Sequence, residues 1–120
     1  MVKTAIADFL LQNPAYTSES LVVSCFGVTF KPDIDDLRES PALEITKRLV
    51  EELPGKINVV EPNVSELPGE LGEGAKLLGI DEAIANSDIL VLLVDHKEFK
   101  AADRNLLRGK QVVDTRGIWA

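Results

Sequence analysis

The feature that most constrains the fold is an unbroken apolar run, ILVLLV, at residues 89–94. Such a run is typical of a central strand in a parallel sheet, because helices cover both faces and leave no face for polar residues. The run is much too short to cross a bilayer. Two further apolar runs, LVVSCF at residues 21–26 and INVV at 57–60, predict strands of the same kind. The chain is therefore predicted to build a parallel sheet.

A helix is predicted between the strands at 21–26 and 57–60. Ser40 offers the side-chain oxygen of an N-cap, Pro41 fits the first helical position, and Pro54-Gly55 ends the helix. Its buried stripe is predicted to comprise Ala42, Ile45, Leu49 and Leu53, with Leu43 and Val50 at its margins. A strand, a helix and a second strand in this order form a βαβ unit with parallel strands and a right-handed crossover.

The chain begins with an amphipathic pattern that predicts a helix over residues 1–13, ending near Asn13-Pro14. Its apolar residues recur at spacings of three and four, at Val2, Ala5, Ile6, Phe9 and Leu10. Because no N-cap residue precedes the pattern, the helix is expected to be the end of a longer one, cut from a larger protein, although a chain that starts at its own Met1 would show the same pattern.

The second half of the chain alternates strand and helix signals, which complete the fold prediction. Residues 61–74, rich in Pro, Gly and acidic residues, are predicted to be irregular, with one helical turn at 64–67. The remaining predictions are a strand at 75–78, a helix capped by Asp81 and ending at Asn86, a brief helix from Asp103 to Leu107 terminated by Gly109, and a strand at 111–114. The pattern predicts an α/β fold, a three-layer α/β/α Rossmann-like sandwich with four or five mostly parallel strands.

Composition narrows the possible classes of function. The 120 residues allow one compact domain, and the net charge of −7 without a Lys/Arg cluster argues against nucleic-acid binding and adhesion to anionic membranes. The lone Cys cannot form an internal disulfide, and a single His leaves no set of ligands typical of a metal site. With no targeting signal evident, the cytoplasm is the expected compartment.

In open parallel sheets, ligands bind beyond the carboxyl ends of the strands, near the point where strand order reverses. That rule selects the loop at residues 27–40 and the segments that follow the later strands, which are Glu61-Pro62, Asp95-His96 and 115–117. These segments are the candidate site.

The loop at 27–40 carries the residues best suited to a nucleotide. A base can stack on Phe30, diphosphate oxygens can pair with Lys31 or Arg38, and the following helix N-terminus adds partial positive charge. The alternative is a solvated charge cluster in which both cations pair with carboxylates at Asp33, Asp35 and Asp36.

The other candidates carry weaker signals. Gly27 stands alone, without the G-x-G-x-x-G fingerprint of an autonomous NAD site. Glu61 stands where dinucleotide folds hold a ribose, but a Glu before Pro at a strand end is interpreted as a turn residue, and Cys25 is interpreted as an inert strand residue. For His96, a surface or loop-anchoring role is favoured over a general base, because it has no recognisable nucleophile or metal-ligand partner. Arg116 is either a second anion contact or part of a loose exposed tail.

The run GVTFKPDIDDLRESPALEI, at residues 27–45, resembles a signature of the UDP-glucose/GDP-mannose dehydrogenase family, at the start of its C-terminal UDP-binding domain. The later runs VVEPN, LVDHKEF and VVDTRGIW are similar to the corresponding sequences of the family branch that oxidises UDP-N-acetyl-D-mannosamine. The resemblance covers residues 20–120, the expected UDP-sugar-binding domain. The helix at 1–13 resembles the end of the family's connecting helix.

The resemblance implies a share of an active site. Family enzymes oxidise C6 of a nucleotide sugar from alcohol to carboxylate, with two hydride transfers to NAD and a thiohemiacetal on a catalytic Cys. That catalytic Cys and the NAD fingerprint belong to preceding domains. Cys25 stands in the wrong motif to replace the catalytic Cys. The parent enzyme would make a polysaccharide precursor and would usually be a homodimer built on its middle domain.

By similarity, Phe30, Lys31 and Arg116 would contact the UDP-sugar, and Arg38 would reach NAD across a domain interface. Asp36 and Ser40 would orient the loop. The sequence therefore predicts a UDP-sugar-binding domain of an NAD-dependent dehydrogenase, inactive on its own. The alternatives are a stand-alone nucleotide-binding or interaction module without enzyme activity, and a scaffold with no affinity for any ligand.

Overall fold

The computed structural model describes residues 2–17, 20–53 and 56–119, and within them a parallel sheet forms the centre of the fold. Its five strands in the described residues are arranged in the order β3-β2-β1-β4-β5. They span Val22–Phe26 (β1), Lys56–Val60 (β2), Ala75–Leu77 (β3), Ile89–Leu92 (β4) and Gln111–Asp114 (β5). All neighbouring strands pair in parallel, so the predicted α/β sandwich is confirmed.

Helices cover both faces of the sheet. They span Val2–Gln12 (α1), Pro41–Glu52 (α2), Ile80–Asn86 (α3) and Lys97–Lys100 (α4), with 3₁₀ helices at Gly69–Gly74 and Arg104–Leu107. The first two pack on the face that carries Cys25 and Val91, and the last two on the face that carries Phe26 and Leu92. None of the helices in the described residues is long and apolar enough to span a membrane.

The start of α2 has the predicted cap. The Ser40 hydroxyl accepts a hydrogen bond from the Leu43 amide and donates one to the Val28 carbonyl at 2.7 Å, and Pro41 follows at the first helical position. The predicted stripe is wrong at Ile45, which is 40% exposed, because the buried face runs through Thr46 instead. Its hydroxyl is satisfied by the Ala42 carbonyl, which allows a polar residue there. The predicted stop at Pro54-Gly55 lies outside the described residues.

Two local predictions are wrong for identifiable reasons. No helical turn forms at 64–67, and the chain instead makes the 3₁₀ helix Gly69–Gly74, because Leu71 packs into the core. The helix predicted to be capped by Asp81 begins at Ile80, with Gly79 at the cap position. Asp81 lies in the first turn, where the negative charge of a carboxylate interacts favourably with the helix dipole.

The long apolar run provides less strand than predicted. The strand β4 ends at Leu92, and the amides of Leu93 and Val94 both donate to the Phe26 carbonyl, which turns the chain out of the sheet. The helix α4, which the sequence did not predict, begins at Lys97, after a short connecting segment. Asp103 caps its helix as predicted by accepting from the Asn105 amide, although that helix is 3₁₀.

Gly27 ends β1 at a point of close approach. Its φ of +93° lies in the left-handed region, and a Cβ added there would stand 2.6 Å from Val94 Cβ and 3.0 Å from the Val94 nitrogen. A side chain at residue 27 would therefore meet both backbone strain and a clash with the chain leaving β4.

We predict that Gly27→Ala destabilises the fold more than Gly109→Ala. Gly109 has a φ of +78° with open space around it, so its substitution costs only the left-handed strain, about 1–2 kcal/mol. The clash with Val94 adds roughly 1–3 kcal/mol at residue 27. Urea unfolding of both variants measures the difference, and equal losses would contradict the close approach.

Candidate functional site

The carboxyl ends of β1, β2 and β4 meet where the strand order reverses, and the loop at residues 27–39 leaves the sheet there. This β1–α2 loop is bridged internally by the Phe30 amide, which donates to the Asp36 carbonyl at 2.8 Å. Asp33 and Glu39 have φ values of 62° and 53°, conformations that L-residues rarely adopt. The loop thus has a defined and locally strained shape that requires support from its neighbours.

Glu61, directly after β2, provides part of that support. Its side chain is buried, and Oε1 accepts from the Val28 amide and from His96 Nε2, each at 2.9 Å. Oε2 accepts from the backbone and side-chain nitrogens of Asn63, each at 3.2 Å. Burial raises the pKa of Glu61, but these hydrogen bonds together outweigh it and hold the pKa below its ordinary value. Glu61 begins a turn as predicted, since the Val64 amide donates to its carbonyl at 3.4 Å, but its buried side chain has a further role that the sequence did not predict.

His96, between β4 and α4, is fully buried and holds the same loop from the other side. Nδ1 accepts from the Asp33 amide at 2.8 Å, so we assign the proton to Nε2, which donates to Glu61. The ring is therefore a neutral imidazole beside a carboxylate. The predicted loop-anchoring role is confirmed, and the surface role is wrong. We call Glu61 and His96 the anchor pair.

Two of the predicted ligand residues lie together in the middle of the loop. The Lys31 ammonium is 5.7 Å from the centroid of the Phe30 ring, which is 44% exposed. Among the described residues, the structure records no ion pair for Lys31. Asp33, its predicted partner in the charge cluster, instead accepts from the Lys97 amide at 2.8 Å. An ammonium and an aromatic face are thus both accessible to a ligand.

Arg38 forms the pair that the charge-cluster alternative predicts. Its Nε and Nη2 donate to the two carboxylate oxygens of Asp36, at 3.0 and 3.1 Å, while its side chain remains 89% exposed. Hydrogen bonds from Arg38 lower the pKa of Asp36. Phe30, Asp36, Arg38 and Glu39 line a surface cavity of about 490 Å³. The guanidinium that lines this cavity is therefore oriented by the Asp36 carboxylate.

Arg116 lies apart from this cavity, after β5. Its Nε donates to the Leu93 carbonyl at 3.2 Å, and the same nitrogen is 3.9 Å from Asp95 Oδ1. The segment is not the loose tail of the alternative interpretation, because the Asp114 carboxylate accepts from the amides of Arg116, Gly117 and Trp119. Three backbone bonds to one carboxylate give Arg116 an anchored position at the same edge of the sheet.

Cys25 is no candidate nucleophile. Its side chain is buried within β1, and burial raises the pKa of the thiol to about 12, with only partial opposition from a hydrogen bond with Thr46. Nucleophilic cysteines react as thiolates, which this environment disfavours. The predicted place of Cys25 inside the strand is confirmed, and its burial agrees with the interpretation of an inert residue.

Comparisons with known proteins agree with this architecture. Residues 24–120 match the family model of the UDP-glucose/GDP-mannose dehydrogenase family, UDP binding domain. The UDP-N-acetyl-D-mannosamine dehydrogenase of Escherichia coli K12 is 46% identical over 118 residues, 98% of this chain and 28% of the relative. The NDP-N-acetyl-D-galactosaminuronic acid dehydrogenase of Ralstonia solanacearum is 48% identical over 99 residues, 82% of this chain and 23% of the relative.

Solved structures show the same fold. The UDP-N-acetyl-mannosamine dehydrogenase Cap5O of S. aureus superposes with a TM-score of 0.66 at 27% identity, over 96% of this chain and 27% of that one. A UDP-glucose dehydrogenase from Pyrobaculum islandicum gives 0.75 at 23% identity, over 97% and 26%. The chain thus spans about a quarter of the length of the relatives it matches. It belongs to the UDP-glucose/GDP-mannose dehydrogenase family, whose UDP binding domain it matches.

Proposed function

We propose that this chain is the C-terminal UDP-sugar-binding domain of an NAD-dependent UDP-N-acetyl-D-mannosamine 6-dehydrogenase, an enzyme of polysaccharide precursor synthesis. The observation that carries the proposal is the anchored β1–α2 loop, which presents Phe30 and Lys31 at the strand reversal of a domain matched by a UDP-binding family model. The sugar assignment is supported by the 46% identity to the Escherichia coli relative.

The contacts of the loop suit a nucleoside diphosphate. Lys31 can bind a phosphate oxygen without breaking an ion pair recorded in the described residues, and Phe30 offers an exposed ring. Arg116 is tethered through Nε, and the structure records no hydrogen bond for its terminal nitrogens among the described residues. In a domain of net charge −7, such local cations are needed to hold a diphosphate.

The described residues do not fit NAD as an autonomous site. The turn after β1 brings Gly27 against Val94, with no Gly-rich turn into which a pyrophosphate could settle. NAD, which would accept hydride from the sugar, is proposed to be held mainly by an N-terminal domain of the parent enzyme. This chain would contribute Arg38 to the NAD site. Asp36 orients the exposed guanidinium through Nε and Nη2, and Nη1 takes no part in that ion pair. Asp36 and Ser40 would orient the loop.

We predict that Lys31→Ala weakens UDP binding to the 120-residue chain by roughly 10- to 150-fold, the loss expected for one charge-assisted contact of about 1.5–3 kcal/mol. Isothermal titration calorimetry measures the dissociation constants of UDP for the wild type and the variant. The matched control is Lys56→Ala, which removes the same charge from an exposed position at the amino end of β2, away from the loop. Equal affinities for the wild type and Lys31→Ala would contradict the proposed contact.

We also predict that the chain alone does not oxidise UDP-N-acetyl-D-mannosamine. Cys25, with its buried thiol and a pKa of about 12, cannot supply the thiolate for a thiohemiacetal. The measurement is NADH absorbance in the presence of substrate and NAD, with the full-length Escherichia coli relative as the positive control. Steady NADH production that scales with the concentration of this chain would overturn the prediction.

A further inference from the structure

We propose that the anchor pair, Glu61 and His96, positions the β1–α2 loop for ligand binding. The inference rests on the proposed function and adds to it two residues that contact the loop rather than the UDP-sugar. They would be positioning residues, which act through the conformation of the segment that carries Phe30 and Lys31.

The anchor pair lies on both sides of β1 in the sheet. The strands β2 and β4 flank β1, Glu61 directly follows β2, and His96 lies in the segment between β4 and α4. The loop that leaves β1 is therefore held from both neighbouring strands. Glu61 accepts from the Val28 amide, and His96 accepts from the Asp33 amide.

The two hydrogen bonds from the anchor pair lie on either side of the proposed ligand residues in the loop. Phe30 and Lys31 lie between the two anchored amides, those of Val28 and Asp33. A third tie lies inside this span, because Thr29 Oγ1 donates to the Lys31 carbonyl at 2.8 Å and lies 3.3 Å from His96 Nε2. The backbone of Lys31 is thus linked through one hydroxyl to the anchor pair.

The burial of Glu61 is costly, because a buried carboxylate loses its hydration where an apolar residue could fill the same space. Glu61 accepts one bond from the loop, one from His96 and two from Asn63, which together satisfy both carboxylate oxygens. The Glu61 carboxylate therefore contributes a specific loop geometry, while the His96 ring also packs against Phe99, with ring centroids 5.3 Å apart.

The geometry requires a neutral His96. A second ring proton, on Nδ1, would point at the Asp33 amide, so two donors would face each other and the loop bond would be lost. Within the described part of the chain, the other polar groups recorded near the ring are the Asp33 carboxylate, 4.0 Å from Nδ1, the Asn63 amide nitrogen, the Thr29 hydroxyl and Glu61. Lys97 is tied to the same network through its backbone amide, which donates to Asp33.

The test compares His96→Leu with His96→Asn in the 120-residue chain. Leucine removes both ring nitrogens, whereas the asparagine side-chain oxygen can accept from the Asp33 amide in place of Nδ1. For His96→Leu we expect hydrogen exchange at the Asp33 amide to become at least tenfold faster and UDP affinity to fall roughly tenfold. His96→Asn is expected to restore most of both losses.

The matched control is Leu90→Ala, which destabilises the core from within β4 without contacting the loop. It should lower the melting temperature while leaving UDP affinity within about twofold of the wild type. If His96→Leu and Leu90→Ala change loop exchange and affinity equally, or if His96→Asn restores neither, the positioning role is overturned.

Two measurements keep the proposal testable if His96→Leu does not fold. Thr29→Val is nearly isosteric and removes the hydroxyl tie to Lys31, so it should weaken UDP binding several-fold with little change in melting temperature. Unchanged affinity would count against the role. Long-range ¹H–¹⁵N spectra of the wild type should show the His96 proton on Nε2, and a proton on Nδ1 would overturn the assignment.

The experiment separates this inference from the proposed function. If the wild-type chain binds no UDP, the proposed function fails in this chain. Hydrogen exchange at the Val28 and Asp33 amides is measured without ligand, so this measurement still decides whether the anchor pair holds the loop. Protection of both amides that depends on His96 supports the pair, and protection that is independent of His96 overturns it.

Discussion

The parallel pairing of β1 with β2 on one side and β4 on the other is the constraint on which the rest of the structure depends. Parallel strands place their carboxyl ends at one edge of the sheet, so the segments that follow them meet there. Residues far apart in sequence therefore become neighbours, as with Glu61 and His96, which are 35 positions apart and joined by a 2.9 Å hydrogen bond. The β1–α2 loop derives its support from this arrangement.

The edge combines opposite charges in separate roles. Its acidic groups are largely committed to structure, since Glu61 and Asp114 each accept backbone amides and Asp36 holds Arg38. Two of its cations are less committed, because Lys31 lies over Phe30 and Arg116 is tethered by Nε, whereas Arg38 is paired with Asp36. Carboxylates thus fix the backbone while cations remain available to an anionic ligand. This division explains how a domain with an excess of acidic residues could bind a diphosphate.

Sequence patterns predict the layers of the fold because periodicity reports burial directly. The runs that became β1, β2 and β4 are largely apolar, with Ser24 and Asn58 as buried polar exceptions, and Ser40-Pro41 marks the start of α2 by local chemistry. Predictions fail where a tertiary contact overrides the local signal. The 3₁₀ helix at Gly69–Gly74 follows from the burial of Leu71, and Ile45 loses its predicted place in the core to Thr46.

The site was predictable only in part for the same reason. The candidate loop and its cations follow from topology and residue type, whereas the anchor pair depends on a long-range contact that neither Glu61-Pro62 nor Asp95-His96 reveals by itself. One signal was available. A lone Glu and a lone His directly after two strands that flank the same loop could have been considered together, once the strand order was inferred.

The central claim is that UDP binds at the carboxyl edge of the sheet, on the β1–α2 loop. Titration of UDP into ¹⁵N-labelled chain, followed by amide chemical shifts, tests it most directly. The account predicts saturable shifts in residues 28–33 and 116–117, with little change at Lys56 and in α1. Absence of saturable shifts, or shifts concentrated at the amino ends of the strands, would contradict it.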